Sequence, residues 1–305
     1  MRLGERFIER SVGFSVSLFL CVNSVTSVTS VPQEHMSTDP TALAREITDA
    51  FATKSIISAP SSRDGGIDLA TAYAVEGEIA RARRAEGHQT AGWKVGFANK
   101  AMWRALKLET LVWAHLYDDT VRYADWNDAT LSIAPMIAPK IEPEIVFKLA
   151  SVPASSDAVA VLQATEWIAL GFEVIDCVFP EWKFQPADFV AARGLHAALV
   201  IGEPVYIEEL GDLTKFAEEM AAFTVRLLKN NEMVEEGAAK NALKSPALCV
   251  GELMEALKRA GGETLQPGDL ISTGTLTTSL PMTAGDTWIA SLNGIPPSSL
   301  TLRVT

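Results

Sequence analysis

Apolar residues recur at three- and four-residue spacing in two early stretches, which predicts helices over Pro40–Thr53 and Leu69–Glu86. The first follows Ser37, Thr38 and Asp39, candidate caps, and carries Pro40 at its start. From residue 91 the period shortens. "AGWKVGFA" (Ala91–Ala98) alternates as a strand, a short helix follows at Ala101–Leu106, and "LVWAHLYDDTVRYAD" reads as a turn-rich link. "PKIEPEIVF" (Pro139–Phe147) is a strand, Asp157–Leu170 a helix, and "GFEVIDCVF" (Gly171–Phe179) a second strand. "HAALVIG" (His196–Gly202) is another strand. "TVRLLKNNEMVEEG" is a hairpin turning at Asn230–Asn231, and Ser245–Ala260 is an amphipathic helix. "PGDLISTGTLT", "AGDTWIASLNG" and "SLTLRV" are late strands. Many strands and few helices in the second half predict an α+β fold with a rolled mixed sheet.

The first 35 residues stand apart. Arg2, Arg6 and Arg10 precede an apolar run, Ser11–Val25, as in a secretory signal. Glu5 and Glu9 interrupt the basic region, and Met36 opens a convincing alternative start, so 1–35 reads as an over-extended or processed leader. The expected organisation is that leader, a helical part over 36–90 and a β-rich catalytic part over 91–305. The expected location is the cytoplasm, with export as the alternative if the leader is a genuine signal.

Composition narrows the function classes. Of 305 residues 48% are hydrophobic, enough for a substantial core, and the net charge of -12 without a basic cluster argues against nucleic-acid or acidic-membrane partners. The three cysteines (Cys21, Cys177, Cys249) form no CxxC motif, and the four histidines (His35, His88, His115, His196) never fall at metal-ligand spacing.

The chemistry concentrates in carboxylates. Glu142 and Glu144 are two apart on a strand, so both point to one face, about 5–7 Å apart, where they repel unless a cation or water intervenes. By itself the pair fits a solvated strand face as well. Glu173 lies among apolar residues on the next predicted strand, with Asp176 three positions on and facing away. Three converging carboxylates suit a hard divalent cation, Mg²⁺ or Mn²⁺. Lys94, between Gly92 and Gly96, is placed either to pair with a substrate carboxylate and move a proton or to snorkel to solvent. "STGTLT" (Ser272–Thr277) is either a carboxylate-holding strand end or an ordinary turn.

Taken in order, "GWKVGF", "WAHLYDD", "PKIEPEIVF", "FEVIDCVFPEWKFQPADFVA" and "STGTLTTSLPMTAGD" resemble the 2-keto-4-pentenoate hydratase and 4-oxalocrotonate decarboxylase family of the fumarylacetoacetate hydrolase superfamily, over Thr41 to Val304. The resemblance implies a mixed β-roll with peripheral helices and a metal held by Glu142, Glu144 and Glu173. It implies Lys94 as a catalytic group, Asp119 (with Asp118 as the competing register) as another, and Gly274 and Thr275 as holders of the substrate carboxylate. It implies a homo-oligomer acting on a small 2-oxo or 2-hydroxydienoic acid, with Mg²⁺ or Mn²⁺ stabilising an enolate. The expected activity is hydration. The alternatives are 2-oxo acid decarboxylation, acylpyruvate C–C hydrolysis, or non-catalytic 2-oxo-acid binding. Two stretches depart from the hydratase pattern, "LKSPAL" (Leu243–Leu248) and "TLTTSLP" after Gly274, and both bear on the substrate rather than the metal. No match to the hydrolases' His-Glu lid dyad is evident, and His115 and His196 read as core or strand-end residues.

Overall fold

The computed structural model describes residues 38–296 and 299–305, so the leader lies outside the described residues. Helix α1 (Pro40–Thr53) starts where the Asp39 carboxylate accepts the Thr41 N–H, with Pro40 in the first turn, and it ends at Lys54 in the left-handed conformation. Helix α2 (Leu69–Ala85) is capped in the same way by Asp68, and its Val75 and Ile79 face the core.

The sheet strands follow. They are β1 (Thr90–Gly96), β2 (Val112–Tyr117), β3 (Val121–Tyr123), β4 (Asp128–Leu131), β5 (Lys140–Leu149), β6 (Thr165–Ile175), β7 (His196–Ile201) and β8 (Val205–Tyr206). Then come β9 (Thr224–Lys229), β10 (Glu232–Ala238), β11 (Leu270–Ser272), β12 (Leu280–Pro281), β13 (Thr287–Asn293) and β14 (Ser299–Val304). Between them lie helices α3 (Lys100–Leu106), α4 (Ala158–Gln163), α5 (Pro186–Ala191), α6 (Leu213–Ala222) and α7 (Pro246–Ala260).

One sheet runs β2-β1-β11-β5-β6-β7-β3, with β12 beside β5 and β8 beside β6; the other runs β10-β9-β13-β14-β4. The pairing is mixed: β1 lies parallel to β11, while β5 is antiparallel to both β11 and β6. The described residues belong to one compact unit, and one apolar cluster joins Ile47 and Ile79 of the helical part to Phe172 of β6, Val190 of α5 and Leu300 of β14.

Two elements differ from the expectation, for identifiable reasons. The predicted helix over Asp157–Leu170 stops at Gln163, and β6 begins at Thr165. The apolar run "WIALGF" pairs with β5 along its whole length in the centre of the sheet, and that pairing overrides helical propensity. The link at "LVWAHLYDD" contains β2, buried at all six positions and paired with β1. A strand buried on both faces lacks the alternation by which strands are read, so only the turn residues after it stood out. The hairpin turns at Asn230 and Asn231 as expected, both with positive φ (53° and 69°), the geometry that matches strand twist.

Candidate metal centre and active-site cavity

Five adjacent strands each deliver side chains to one locus. β1 gives Lys94, β11 gives Ser272, β5 gives Glu142 and Glu144, β6 gives Glu173, and β7 begins with His196. Alternation along β5 puts its two glutamates on one face. Register does the rest, because Glu173 is the direct partner of Glu142 across the β5–β6 ladder. Each of the three carboxylates offers an oxygen within 4.8 Å of the others. Lys94 is three strands away from Glu173, roughly 14 Å in a flat sheet. The sheet curls, and Lys94 Nζ sits 3.1 Å from Glu173 Oε2 and donates to the Gly194 carbonyl at 2.8 Å.

Glu144 and Glu173 are fully buried, Lys94 is almost so, and Glu142 opens onto a cavity of about 550 Å³. Burial pushes the Glu142 and Glu144 carboxyls up to about 8, with repulsion among the glutamates adding to it. Glu173 is raised as well, through burial. Burial works against the Lys94 charge, but the three glutamates outweigh it and hold its pKa above the ordinary lysine value. The acid and base shifts agree: three carboxyls face one ammonium, so the two held near 8 keep protons at neutral pH that a bound cation would displace.

The remaining contacts position these groups. Glu144 Oε2 accepts from the Ser272 hydroxyl at 2.5 Å and the Gly274 amide at 2.8 Å. Glu173 Oε1 lies 2.8 Å from His196 Nδ1. Glu144 Oε1 is buried and accepts no hydrogen bond, and Glu173 Oε2, also buried, has the Lys94 ammonium 3.1 Å away as its partner. An orphaned buried oxygen in a cluster of three carboxyls with one ammonium fits a divalent cation, and an all-oxygen ligand set suits a hard one.

Gly274 and Thr275 line the cavity, but the Gly274 N–H is already donated to Glu144 and the Thr275 hydroxyl to the Thr277 carbonyl at 3.0 Å. Gly274 has φ +90°, and a Cβ there would meet the Ala98 Cβ at 2.9 Å, so this approach to β1 requires glycine. Asp119 does not line this cavity. Its carboxylate pairs with Arg83 at 2.5 Å, in the turn after β2. Asp176 turns away from the site, as alternation predicts, and accepts the Ile137, Ala138 and Cys177 amides. Lys140, Trp182, Phe184 and Met102 form the outer cavity wall, with Lys140 Nζ 4.0 Å from the Trp182 ring centre.

The sequence assigns Ser272 and Gly194 no individual site role, and it reads His196 as a core or strand-end residue; His196 is buried and opens β7. Ser272 was within reach, since "STGTLT" reads either as a carboxylate-holding strand end or as an ordinary turn. Gly194 and His196 act through the curl of the sheet and carried no local signal.

Residues 103–303 match the fumarylacetoacetate (FAA) hydrolase C-terminal family model. The chain belongs to that family. A curated relative, 4-oxalocrotonate decarboxylase of Pseudomonas sp. (strain CF600), is 29% identical over 231 residues, 74% of this chain and 83% of the relative. 2-Hydroxyhexa-2,4-dienoate hydratase of Comamonas testosteroni is 28% identical over 231 residues, 75% of this chain and 84% of the relative. Among solved structures, 4-oxalocrotonate decarboxylase from Pseudomonas putida G7, complexed with magnesium and adipate, matches with a TM-score of 0.77 and 26% identity. That match covers 87% of this chain and 97% of the other. The expected α+β roll with peripheral helices is therefore the FAA hydrolase fold. Among the described residues, no helix is long and apolar enough to cross a membrane.

Proposed function

We propose that this chain is a divalent-metal-dependent hydratase of 2-hydroxy-2,4-dienoates, the tautomers of 2-oxo-4-enoates. The observation that carries this reading is the cluster of three carboxyl groups at the base of the cavity, each with an oxygen within 4.8 Å of the others and with one ammonium beside them. Glu142, Glu144 and Glu173 would hold the cation, with Mg²⁺ or Mn²⁺ the expected ion. When bound, such a cation supplies Lewis-acid stabilisation of negative charge on the substrate's 2-oxygen.

The chain's own residues do the rest. Lys94 stays protonated beside the glutamates and presents an N–H donor to an oxyanion or a proton to the dienol carbon. Its ammonium lies 4.6 Å from the Phe189 ring centre, so the charge is fixed between carboxylates and an aromatic face. Asn241 lines the cavity and keeps one amide N–H, beyond its bond to the Leu276 carbonyl, for the substrate carboxylate, while the Thr275 and Thr277 hydroxyls, donated to the Thr277 and Thr278 carbonyls, would have to turn to join it. Phe184 and Trp182 give the conjugated chain an apolar wall that excludes water from the far side. Asp119 enters as a positioning residue: its pairing with Arg83 fixes the turn from which Thr120 reaches His196. A homo-oligomer is part of the proposal, with exposed Tyr123 and Trp126, in β3 and just before β4, as apolar side chains for a second copy.

Loss of the ultraviolet absorbance of 2-hydroxypenta-2,4-dienoate, followed with Mg²⁺ and then with EDTA, tests the reading. Enzyme-dependent formation of 4-hydroxy-2-oxopentanoate that EDTA abolishes is the expected result, with a no-enzyme control for spontaneous ketonisation. Hydration that survives EDTA would refute the metal requirement.

A second reading is favoured by Lys140, which lies two residues before Glu142 on the same face of β5 and lines the cavity. A cation there suits the distal carboxylate of a dicarboxylic 2-oxo acid, the substrate type of a 4-oxalocrotonate-type decarboxylase. CO₂ release from 4-oxalocrotonate without hydration of the monocarboxylic dienol would select it.

A further inference from the structure

His196 is the least expected member of the site. It is buried, opens β7 and lies one strand away from Glu173 on the side opposite Glu142. Its Nδ1 is 2.8 Å from Glu173 Oε1 and its Nε2 is 2.9 Å from Thr120 Oγ1. An ionised carboxylate only accepts, so a His196 that bonds Glu173 carries its proton on Nδ1. Nε2 is then an acceptor, and Thr120 Oγ1, the atom beside it, carries one hydroxyl proton. With Nδ1 protonated, that single proton serves Nε2, and the Tyr117 carbonyl, 3.0 Å from Oγ1, accepts the Thr120 N–H at 3.1 Å instead.

The backbone leading into His196 serves the same locus. Arg193, Gly194 and Leu195 all have positive φ (58°, 60° and 56°). Three successive left-handed residues, two of them with side chains, are costly and persist only where surrounding structure over-determines them. Here the turn aims the Gly194 carbonyl at Lys94 Nζ, 2.8 Å away, and sets His196 against Glu173. Lys94 and Glu173 are themselves 3.1 Å apart, so one four-residue segment touches both members of the buried pair.

We infer that His196 is a positioning residue for the cation site: its Nδ1–H holds Glu173 by Oε1 in the orientation that keeps a carboxylate oxygen within reach of Glu142 and Glu144, and Thr120 fixes the imidazole. This rests on the proposed metal reading. Partners that orient metal ligands typically contribute 10- to 100-fold to metal affinity.

The test is Mn²⁺ binding to the full chain, read as the loss of the free-ion electron paramagnetic resonance signal. His196→Ala is expected to weaken Mn²⁺ binding by about 10- to 100-fold. His196→Asn places an amide N–H near the former Nδ1 position and is expected to bind within about threefold of wild type. Thr120→Val keeps the imidazole, frees its far side and is expected to fall between the two. It also serves as the probe if His196→Ala does not fold. Melting curves without metal separate affinity from stability, because a merely structural histidine would lower the melting temperature of the alanine and asparagine variants alike and leave their Mn²⁺ affinities equal. Equal Mn²⁺ affinity of wild type and His196→Ala, or of His196→Ala and His196→Asn, overturns this inference while the metal reading stands. Failure of the wild-type chain to bind Mn²⁺ overturns the metal reading and the inference with it.

Discussion

Replacing Lys94 with methionine separates what the lysine does for charge from what it does for chemistry. The ammonium is 3.1 Å from Glu173 Oε2 and is the positive charge among three carboxylates. Without it, three carboxylates share a site that burial has already made hostile to them, with Glu142 and Glu144 pushed up to about 8. Removing one partner of a buried pair costs about 3–5 kcal/mol, and uptake of a proton by a glutamate caps the loss near the lower end. At about 2–4 °C per kcal/mol in a domain of this size class, the metal-free variant should melt roughly 6–12 °C below wild type.

Cation binding should move the other way. A divalent ion bonded to the Glu173 carboxylate would sit within about 5 Å of the ammonium, the sum of the observed gap and a metal–oxygen bond of about 2.1 Å. Coulomb repulsion at that distance is about 1.7 kcal/mol in a water-like medium and about 7 kcal/mol at an effective dielectric of about 20. Even the lower figure makes the variant bind Mn²⁺ at least about tenfold more tightly. Turnover should nevertheless fall by about 10²- to 10⁴-fold, the usual worth of a positioned proton donor. Calorimetric Mn²⁺ titration, melting curves with and without metal, and steady-state hydration together read all three. Weaker metal binding with retained turnover would refute the charge argument and demote Lys94 to a structural lysine.

Glu144→Gln should abolish metal-induced stabilisation and weaken Mn²⁺ binding by more than about 100-fold. The metal-free protein should melt no lower than wild type, since an amide replaces a carboxyl that burial holds near 8; a large destabilisation without metal would contradict that. Gly194→Ala puts a Cβ 2.5 Å from Lys94 Cδ at φ +60°. It should cost about 1–2 kcal/mol of stability and, by displacing the ammonium, reduce turnover about 10- to 100-fold; wild-type rates would show that Lys94 has room to move. His115 lies 2.7 Å from Glu76 and 2.8 Å from Glu263, with Arg84 3.4 Å from its Nε2. Burial opposes its charge, but the two glutamates win and raise its pKa. A raised histidine gives stability that is complete below its unfolded value of about 6.5 and is lost as pH rises through the folded value. Melting temperature should therefore fall with pH above about 6.5, and the slope should flatten in His115→Asn; an unchanged slope would assign it to other groups.

The sequence by itself determined what depends on local periodicity and short-range chemistry. The two first helices carry their own caps, the Asn-Asn hairpin carries its own turn, and the placement of Glu142 and Glu144 on one face follows from the two-residue repeat of any strand. The quoted motifs in their order were enough for the family. Tertiary structure decided everything that depends on pairing. Whether Glu173 meets Glu142 is a matter of register, and a slip of one residue would turn it to the other face. Whether Lys94 reaches Glu173 from three strands away is a matter of sheet curl, and neither quantity is written in a window of adjacent residues. The same holds for "WIALGF", which becomes strand because β5 is there to pair with it, and for β2, whose two-sided burial erases the alternation that marks a strand. His196 and Gly194 belong to this second group: their partners are 23 and 100 residues away in sequence, and only the rolled sheet brings the imidazole to Glu173 and the glycine carbonyl to Lys94.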